Sequence, residues 1–436
     1  MEKKYFKTAE KLPVIAETDV LVCGGGPAGI GAAIRAGRMG VKTLLTEMQN
    51  CLGGIATAGM MSHYTGYSSS RVLQEIFKRQ KQLEKCIGDA PEENGYEDYF
   101  IDQESLKIIL DEMAEEAKAE TLLCTVLSEA VVENGKITGV IAENKSGRGV
   151  IKAKCVIDAT GDGDVAASAG VPFFKGRESD GKMQPCTLMF KIGGVDYSRA
   201  VFPGSFESRV PTPKGELQEL AKKLLPFPAG HVLLYKQRTP GTVCCNMTNC
   251  IETDGTNGFD ITKALRRCRS QIPPILSFLR EYAPGYERCY LIGTASLLGI
   301  RETRHFQGRQ SLTADDVTSA RRFDDWVVER AFFNFDVHNL TGASLDETGV
   351  QFQWKQPDSY TVPYGCLLPV NIDNLLLSGR NICGSHLAHS NFRAMPICMA
   401  TGEAAGVAAA LYVKNHLSSL KDVSVKEIQR YVSENI

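Results

Sequence analysis

The chain has 436 residues, with 49 Lys plus Arg against 51 Asp plus Glu and a formal net charge of −2. That balance offers no basic field for nucleic acid, and the length suits two or three interleaved domains better than one core. No apolar run reads as long enough for a bilayer crossing, and Met1 to Lys7 open on charged residues, unlike an apolar secretory core. The 14 cysteines are scattered, which suits free thiols in a reducing, cytoplasmic setting. The tightest group, Cys244, Cys245 and Cys250, lacks a matching second pair, and no metal site is expected.

In chain order, the first informative element is an apolar strand, Asp19 to Cys23, that feeds Gly24-Gly25-Gly26-Pro27-Ala28-Gly29 and a small-residue helix from Gly29 to Met39. In such a turn Gly24 permits the sharp bend, Gly26 lets backbone approach a pyrophosphate, and Gly29 packs helix on strand. A second strand, Lys42 to Thr46, ends in Glu47, placed where an acid hydrogen-bonds ribose hydroxyls. Strand, glycine turn, helix, strand and acid in that order predict a dinucleotide on the first strand. Leu52 to Gly59 is a second small-residue segment in which backbone can press on a flat ligand. A polar helix follows from Arg71 to Lys85, then a surface loop between Pro91 and Gly95. Gln103 to Glu120 carries Leu106, Ile109, Leu110, Met113 and Ala117 at helical spacing. After Leu122 to Val126, the runs Ala130 to Val132 and Ile137 to Ile141 flank Asn134-Gly135, a hairpin signal. Strand Ile151 to Ile157 leads into Asp158-Ala159-Thr160-Gly161-Asp162-Gly163-Asp164.

From Val171 to about Trp354 the texture changes to Pro-rich turns, Pro273-Pro274 among them. These separate β-like runs (Thr187 to Ile192, His231 to Tyr235) from helical ones (Thr262 to Arg269, Ala314 to Arg322). Strand Asn374 to Ser378, Gly379-Arg380 and a helix of very small residues from Pro396 to Ala410 then resume the first pattern. The small side chains predict close helix-to-sheet packing. The expected domains are 1–170 and 356–436 as two parts of a dinucleotide-binding domain, with 171–355 inserted between them as a substrate domain.

Five segments in order resemble flavoproteins of the glutathione-reductase-like superfamily, and within it the broad bacterial family of FAD-dependent oxidoreductases. They are the Gly24 to Gly29 turn with Glu47, Leu52 to Thr57, Asp158 to Gly163, Gly299-Ile300-Arg301-Glu302-Thr303-Arg304, and Leu377 to Gly406. The resemblance covers essentially the whole chain. It implies an α/β fold: a three-layer FAD-binding domain on a parallel sheet, an inserted α+β substrate domain, and the flavin between them. Gly24, Gly26, Pro27, Ala28, Gly29 and Glu47 would hold the adenosine half and pyrophosphate, with the backbone near Val126 at the adenine edge. Gly53, Gly54 and Thr57 would follow the ribityl chain and flavin ring, and Ala159, Thr160 and Gly161 would turn beside the pyrophosphate. Gly379 would close its strand, with Arg380 on phosphate where most relatives carry an acid. Ala394, Met395 and Pro396 would turn a helix N-terminus towards the flavin pyrimidine, where its positive end stabilises reduced flavin. The chain departs from the superfamily in lacking a second Gly-x-Gly-x-x-Gly for NAD(P), and in carrying only Cys51 where disulfide reductases carry a pair. No histidine closely precedes Gly53, so FAD is expected to be dissociable, with attachment through Cys51 the minor alternative. Electrons would pass through a separate carrier or free NAD(P)H.

For chemistry, His386, His389 and Arg393 lie between the Arg380 turn and the last helix. An imidazole near neutrality suits removal of a hydroxyl proton as hydride leaves the same carbon; a hydrogen bond to loop backbone or flavin edge is the plainer role. Arg301 is a fork for a substrate carboxylate, while an ion pair with Glu302 or Asp315 is the alternative for Arg301 and Arg304. His63, beside Tyr64, either enters the site or serves structure, and Asp162 and Asp164 read as cap and cofactor contacts. The expected activity is hydride transfer between FAD and a small hydroxylated or carboxylated metabolite, with no nucleic-acid or membrane partner. Two alternatives stand: an ene-reductase of fumarate-reductase type, protonating a double bond through Arg393 or His386, and a non-catalytic flavin redox sensor.

Overall fold

The computed structural model describes residues 11–61, 63–87, 101–345 and 350–434; the opening residues and the expected Pro91 to Gly95 loop lie outside them. Val20, Leu21, Val22 and Cys23 are wholly buried, as suits a strand covered on both faces. They end Val14–Cys23, which pairs in parallel with Thr43–Thr46 on one side and Gly147–Asp158 on the other. Ala119–Leu122 extends the sheet beyond Thr43–Thr46, and Leu375–Leu377 pairs with the end of Gly147–Asp158. The first half of that long strand instead carries an antiparallel hairpin, Val126–Glu133 and Lys136–Asn144. Its turn residues Asn134 and Gly135 sit at φ 51° and 74°, the left-handed values that make Asn-Gly the favoured pair there. Register sets Cys23 level with Thr46 and Asp158, and Asp158 level with Leu377. The carboxyl ends of these strands therefore share one edge, where open α/β sheets bind nucleotides.

Helices Pro27–Arg38 and Met395–Lys414 cover this sheet in backbone contact with each other. A Cβ on Gly31, Gly402 or Gly406 would fall 2.5, 1.9 and 2.3 Å from the carbonyl oxygens of Met399, Ala28 and Ala32. The small residues of the last helix thus serve helix-to-helix packing, a correction to the helix-to-sheet expectation. The same helix also corrects the reading of bilayer-length runs: by length and composition it could cross a membrane, yet 94% of its apolar window is buried inside this chain. Helix Gln103–Glu116 turns Leu106, Ile109, Leu110 and Met113 inward. It stops short of Glu120 because Ala119 is already in a strand and Lys118 takes φ 56°.

A separate antiparallel sheet runs in the order Leu234–Lys236, Val243–Cys245, Phe190–Gly193, Tyr290–Thr294, packed with helices Leu217–Leu224 and Gly258–Tyr282 around its own core. Pro273 and Pro274, expected in a turn, stand inside Gly258–Tyr282. The buried face of Ile272, Ile275, Phe278 and Leu279 offsets the backbone bonds that proline removes. A third sheet joins Trp326–Phe332 to Tyr360–Pro363 and to Tyr67–Ser68, and Val327, Val328 and Ala331 belong to the core of the parallel sheet. Cys244 and Cys245 are buried free thiols, behaving as small hydrophobes. The Gly53 to Met61 segment lies between the two large sheets: the Gly53 N–H donates to Gly25 O at 2.7 Å, and the Ser296 N–H donates to Ala58 O at 3.0 Å.

Candidate functional site

The edge formed by the parallel strands is built of bare backbone. A Cβ on Gly24, at φ 97°, would lie 2.5 Å from Ala159 O, and one on Gly29 would lie 1.7 Å from Gly24 O. A Cβ on Gly26 would meet nothing within 4 Å, so the turn is open on the face that leads to the helix N-terminus. Pro27 opens that helix, where a missing N–H costs nothing. Ala28 follows it, near Gly379. Glu47 is buried: its Oε2 accepts from the Gly25 N–H at 2.6 Å and its Oε1 from the Gln49 N–H at 2.8 Å. The carboxylate thus pins the glycine turn, each oxygen keeping a second lone pair for a hydroxyl. The Thr125 N–H donates to Glu47 O at 3.0 Å, which brings the half-exposed Val126 beside it. Gly53 and Gly54 take φ 100° and 52°, and a Cβ on Gly54 would lie 2.9 Å from Gly26 Cα. The Thr57 hydroxyl donates to Leu52 O, closing that turn.

Asp158 organises the next loop. Its Oδ1 accepts from the Thr160 N–H at 3.1 Å and hydroxyl at 2.7 Å, and its Oδ2 from the Ala166 N–H at 2.7 Å. Burial pushes this carboxyl up to about 6 while those hydrogen bonds pull the other way. The Ala159 N–H donates to Cys23 O at 2.8 Å, fastening the loop to the first strand. Arg380 lies over Gly161, whose Cβ would be 3.0 Å from Arg380 Nη2, and pairs with Asp162 Oδ1 at 2.7 Å. A Cβ on Gly379 would lie 2.9 Å from Ala28 Cβ, and the Gly379 N–H donates to Thr401 Oγ1 at 3.0 Å. Met395 and Pro396, buried at the start of the last helix, are held by the Ser68 hydroxyl donating to Pro396 O at 2.6 Å. The structure therefore gathers the three glycine-bearing turns at one edge and sets Val126 at its rim.

The polar residues divide into two linked groups. In the first, Glu302 Oε1 accepts from His386 Nδ1 at 2.6 Å and from His305 Nε2 at 2.8 Å, and its Oε2 accepts from the Gln184 N–H at 3.0 Å. Burial alone would raise this carboxyl, but the hydrogen bonds from His305 and His386 hold it well below the usual range. His305 Nδ1 faces Gly384 O at 3.1 Å. His389 lies against the His305 ring at 5.0 Å and burial pulls it well below its ordinary value; its Nδ1 has no hydrogen-bond partner among the described residues. Glu302, His305 and His389 offer ligand atoms within 4.8 Å of one another, a spacing that could hold a metal ion, although hydrogen bonds already join the first two.

In the second group, Arg393 Nη2 donates to Asp336 Oδ2 at 2.7 Å and lies 3.5 Å from Gln184 Oε1. His338 Nε2 is 3.4 Å from the same Asp336 oxygen. Asp336 stays well below the carboxylate range because the Arg393 charge and the hydrogen bond from His338 outweigh its burial. Arg301 Nη1 donates to Pro185 O at 2.6 Å and Thr187 Oγ1 at 2.9 Å, so neither Glu302 nor Asp315 pairs with it. Arg304 instead pairs with Asp164 at 2.8 Å. His63 packs on Tyr235 with ring centroids 4.5 Å apart, and burial pulls it down to about 4. Sequence reasoning missed Glu302 as the hub, along with His305, Gln184, Asp336, His338 and His231. Only the three-residue spacing of Glu302 and His305, the latter just past the Gly299 to Arg304 motif, was a local signal.

The chain is 29% identical over 206 residues to thiamine thiazole synthase of Methanococcus aeolicus, covering 44% of this chain and 73% of that protein. It is 30% identical over 158 residues to that of Aeropyrum pernix, covering 33% of this chain and 54% of the relative, little more than half its length. Among solved structures a flavin-dependent brominase matches with a TM-score of 0.50 and 12% identity, over 95% of this chain and 83% of the other. A geranylgeranyl bacteriochlorophyll reductase-like protein of Thermoplasma acidophilum matches at 0.46 and 16%, over 95% and 82%. The brominase likeness shows the fold alone, an α/β architecture with added antiparallel sheets. Bare glycine backbone at two turns, with Glu47 behind the first, fits a flavin dinucleotide: the face at Gly26 is open, and a Cβ at Gly24, Gly29 or Gly54 would collide with neighbouring backbone. With the family model for FAD dependent oxidoreductase matching residues 19–432, the chain belongs to that family of enzymes and takes FAD as its cofactor.

Proposed function

We propose that the protein moves a hydride between FAD and a small hydroxylated or carboxylated metabolite, with His386 as proton carrier and Arg301 and Arg393 orienting the substrate. The observation that carries this reading is the 2.6 Å contact from His386 Nδ1 to the buried Glu302 carboxylate. A carboxylate only accepts, so Nδ1 bears the proton and Nε2 is the basic nitrogen. FAD, when bound, supplies the electron chemistry. Gln184 and His305 hold Glu302 in place, and Glu302 holds the His386 tautomer. Residues 171–355 are the substrate domain in this reading, in a cytoplasmic enzyme that exchanges electrons with a separate carrier or free NAD(P)H.

The ene-reductase reading keeps only His386 of its two proton donors, because Arg393 is engaged by Asp336. The test is the visible flavin spectrum of the anaerobic protein mixed with hydroxy acids, polyols, amines and saturated acids. Bleaching by a hydroxylated compound, kept FAD content and lost turnover in His386→Gln support the proposal. Reoxidation of the reduced protein by an unsaturated acid, with no bleaching by any donor, would replace it with the ene-reductase.

A further inference from the structure

Among the described residues, the second polar group carries one positive charge more than its neighbours balance. Arg301 and Arg393 are both cationic and face a single carboxylate, Asp336, within the group. Burial pulls His231 down to about 3 and His338 down to about 4, so both rings are neutral near neutrality. Burial also pulls Arg301 down to about 10, and the Arg393 charge adds to that. Arg393 and Asp336 are 14% and 20% exposed, and unbalanced charge so little hydrated favours a counter-ion.

Hydrogen-bonding capacity in the same group is also left over. Arg393 Nε and Gln184 Nε2 are buried donors without partners among the described residues. Gln184 Oε1 lies 3.5 Å from Arg393 Nη2 and 3.3 Å from the His338 N–H, both donors. The amide orientation is thereby fixed, and Nε2 is its unused end. Arg301 gives both protons of Nη1 to Pro185 O and Thr187 Oγ1, which anchors its guanidinium. On the accepting side, His231 Nε2 faces Asn246 O at 3.0 Å. That nitrogen therefore carries the ring proton, and Nδ1, buried and without a partner among the described residues, presents a lone pair. The Phe206 ring lies 5.1 Å from His231 and 5.2 Å from His338, so it joins the two histidines in one wall.

Buried donors without acceptors, beside a buried acceptor without a donor, are satisfied together by a ligand that brings both. We infer that this group takes a polyhydroxy carboxylate, its carboxylate held by Arg393 Nε and Gln184 Nε2 in the field of Arg301 and a hydroxyl donated to His231 Nδ1. The inference rests on the hydride-transfer reading for the place of the substrate and narrows that substrate to one class.

Isothermal titration of the FAD-loaded, oxidised, anaerobic protein tests it. Glycerate, threonate and gluconate are compared with glucitol, which has hydroxyls without charge, and hexanoate, which has charge without hydroxyls. At least one of the three acids should bind about tenfold or more tightly than both controls, the loss expected for one charge-assisted hydrogen bond. Arg393→Gln should erase the advantage over glucitol, and His231→Phe the advantage over hexanoate. If Arg393→Gln does not fold, as judged by its thermal melt, Gln184→Met serves in its place. The assignment is overturned if no acid exceeds glucitol, or if His231→Phe leaves the preference over hexanoate intact. An acid that binds without bleaching the flavin would keep this subsite and overturn hydride transfer. Bleaching only by uncharged alcohols would do the reverse.

Discussion

Arg35 Nε donates to Glu403 Oε2 at 2.9 Å, with the two side chains 1% and 3% exposed, so an ion pair sealed from water ties the glycine-turn helix to the last helix. Glu403 Oε1 also accepts from the Val72 N–H at 3.1 Å and from the Ser70 hydroxyl. Burial pushes the Glu403 carboxyl up, and the Arg35 charge opposes it. Arg35→Met leaves that carboxyl without its counter-charge and should cost about 3–5 kcal/mol, the usual penalty for breaking a buried pair. Urea unfolding measures it; a loss below about 1 kcal/mol would put the pair on the footing of a surface salt bridge.

The Gly402 to Ala28 contact predicts a second outcome. A Cβ at residue 402 would sit 1.9 Å from Ala28 O, inside any van der Waals contact, so Gly402→Val must push the two helices apart. The displaced residue belongs to the glycine turn, so bound FAD per chain should fall together with the melting temperature. Overpacking of this kind costs about 1–3 kcal/mol or more. Full FAD content in a destabilised Gly402→Val would show that turn and helix contact are independent.

Asp158 predicts a pH dependence. Its folded pKa is raised from 3.8 to about 6, chiefly by burial, so the folded state binds the proton more tightly than the unfolded chain. The stabilisation from that proton is complete below about pH 4 and is lost as pH rises through about 6. At about 1.4 kcal/mol per unit the loss is about 3 kcal/mol, and Asp158→Asn, which does not titrate, should not show it. Denaturant titrations of both proteins at about pH 4 and pH 7 compare them; parallel curves would mean that the carboxyl is already ionised at the lower pH.

Glu302→Gln tests the tautomer argument. The amide keeps one accepting oxygen where the carboxylate had two, so it cannot accept from the Gln184 N–H and from the two rings together, and the proton of His386 is no longer fixed on Nδ1. Turnover should fall by about 10²–10⁴-fold, the range for a disabled general base, with FAD content unchanged. Steady-state kinetics beside the flavin absorbance separate the two effects, and an unchanged kcat would remove His386 from the proton path.

Much of the cofactor edge was legible because its signals are local. Gly24 to Gly29 and Glu47 occupy one strand-turn-helix-strand unit whose glycine spacing states a backbone requirement. Positive φ at Gly24, Gly53, Gly161 and Gly379 is written directly as glycine. The Glu302 hub was not legible in this way: His386 lies 84 residues further along, and a hydrogen bond across that separation leaves no periodicity. Arg393 and Asp336 are likewise joined only by the fold. The Pro273-Pro274 pair misled for another reason, since local breakers lose to a buried helix face that only tertiary packing supplies. In the last helix, composition announced close contact, but whether the partner was a sheet or a helix depends on where Ala28 and Ala32 come to lie.

The contact of Gly402 and Gly406 with Ala28 and Ala32 has a consequence for the order of synthesis. The glycine turn leaves the ribosome long before the helix that braces it from behind. Until residue 406 has emerged, the glycine turn has no rear support and the apolar face of its helix is uncovered. The growing polypeptide must therefore stay soluble while the helix that carries Ala28 and Ala32 still lacks its cover.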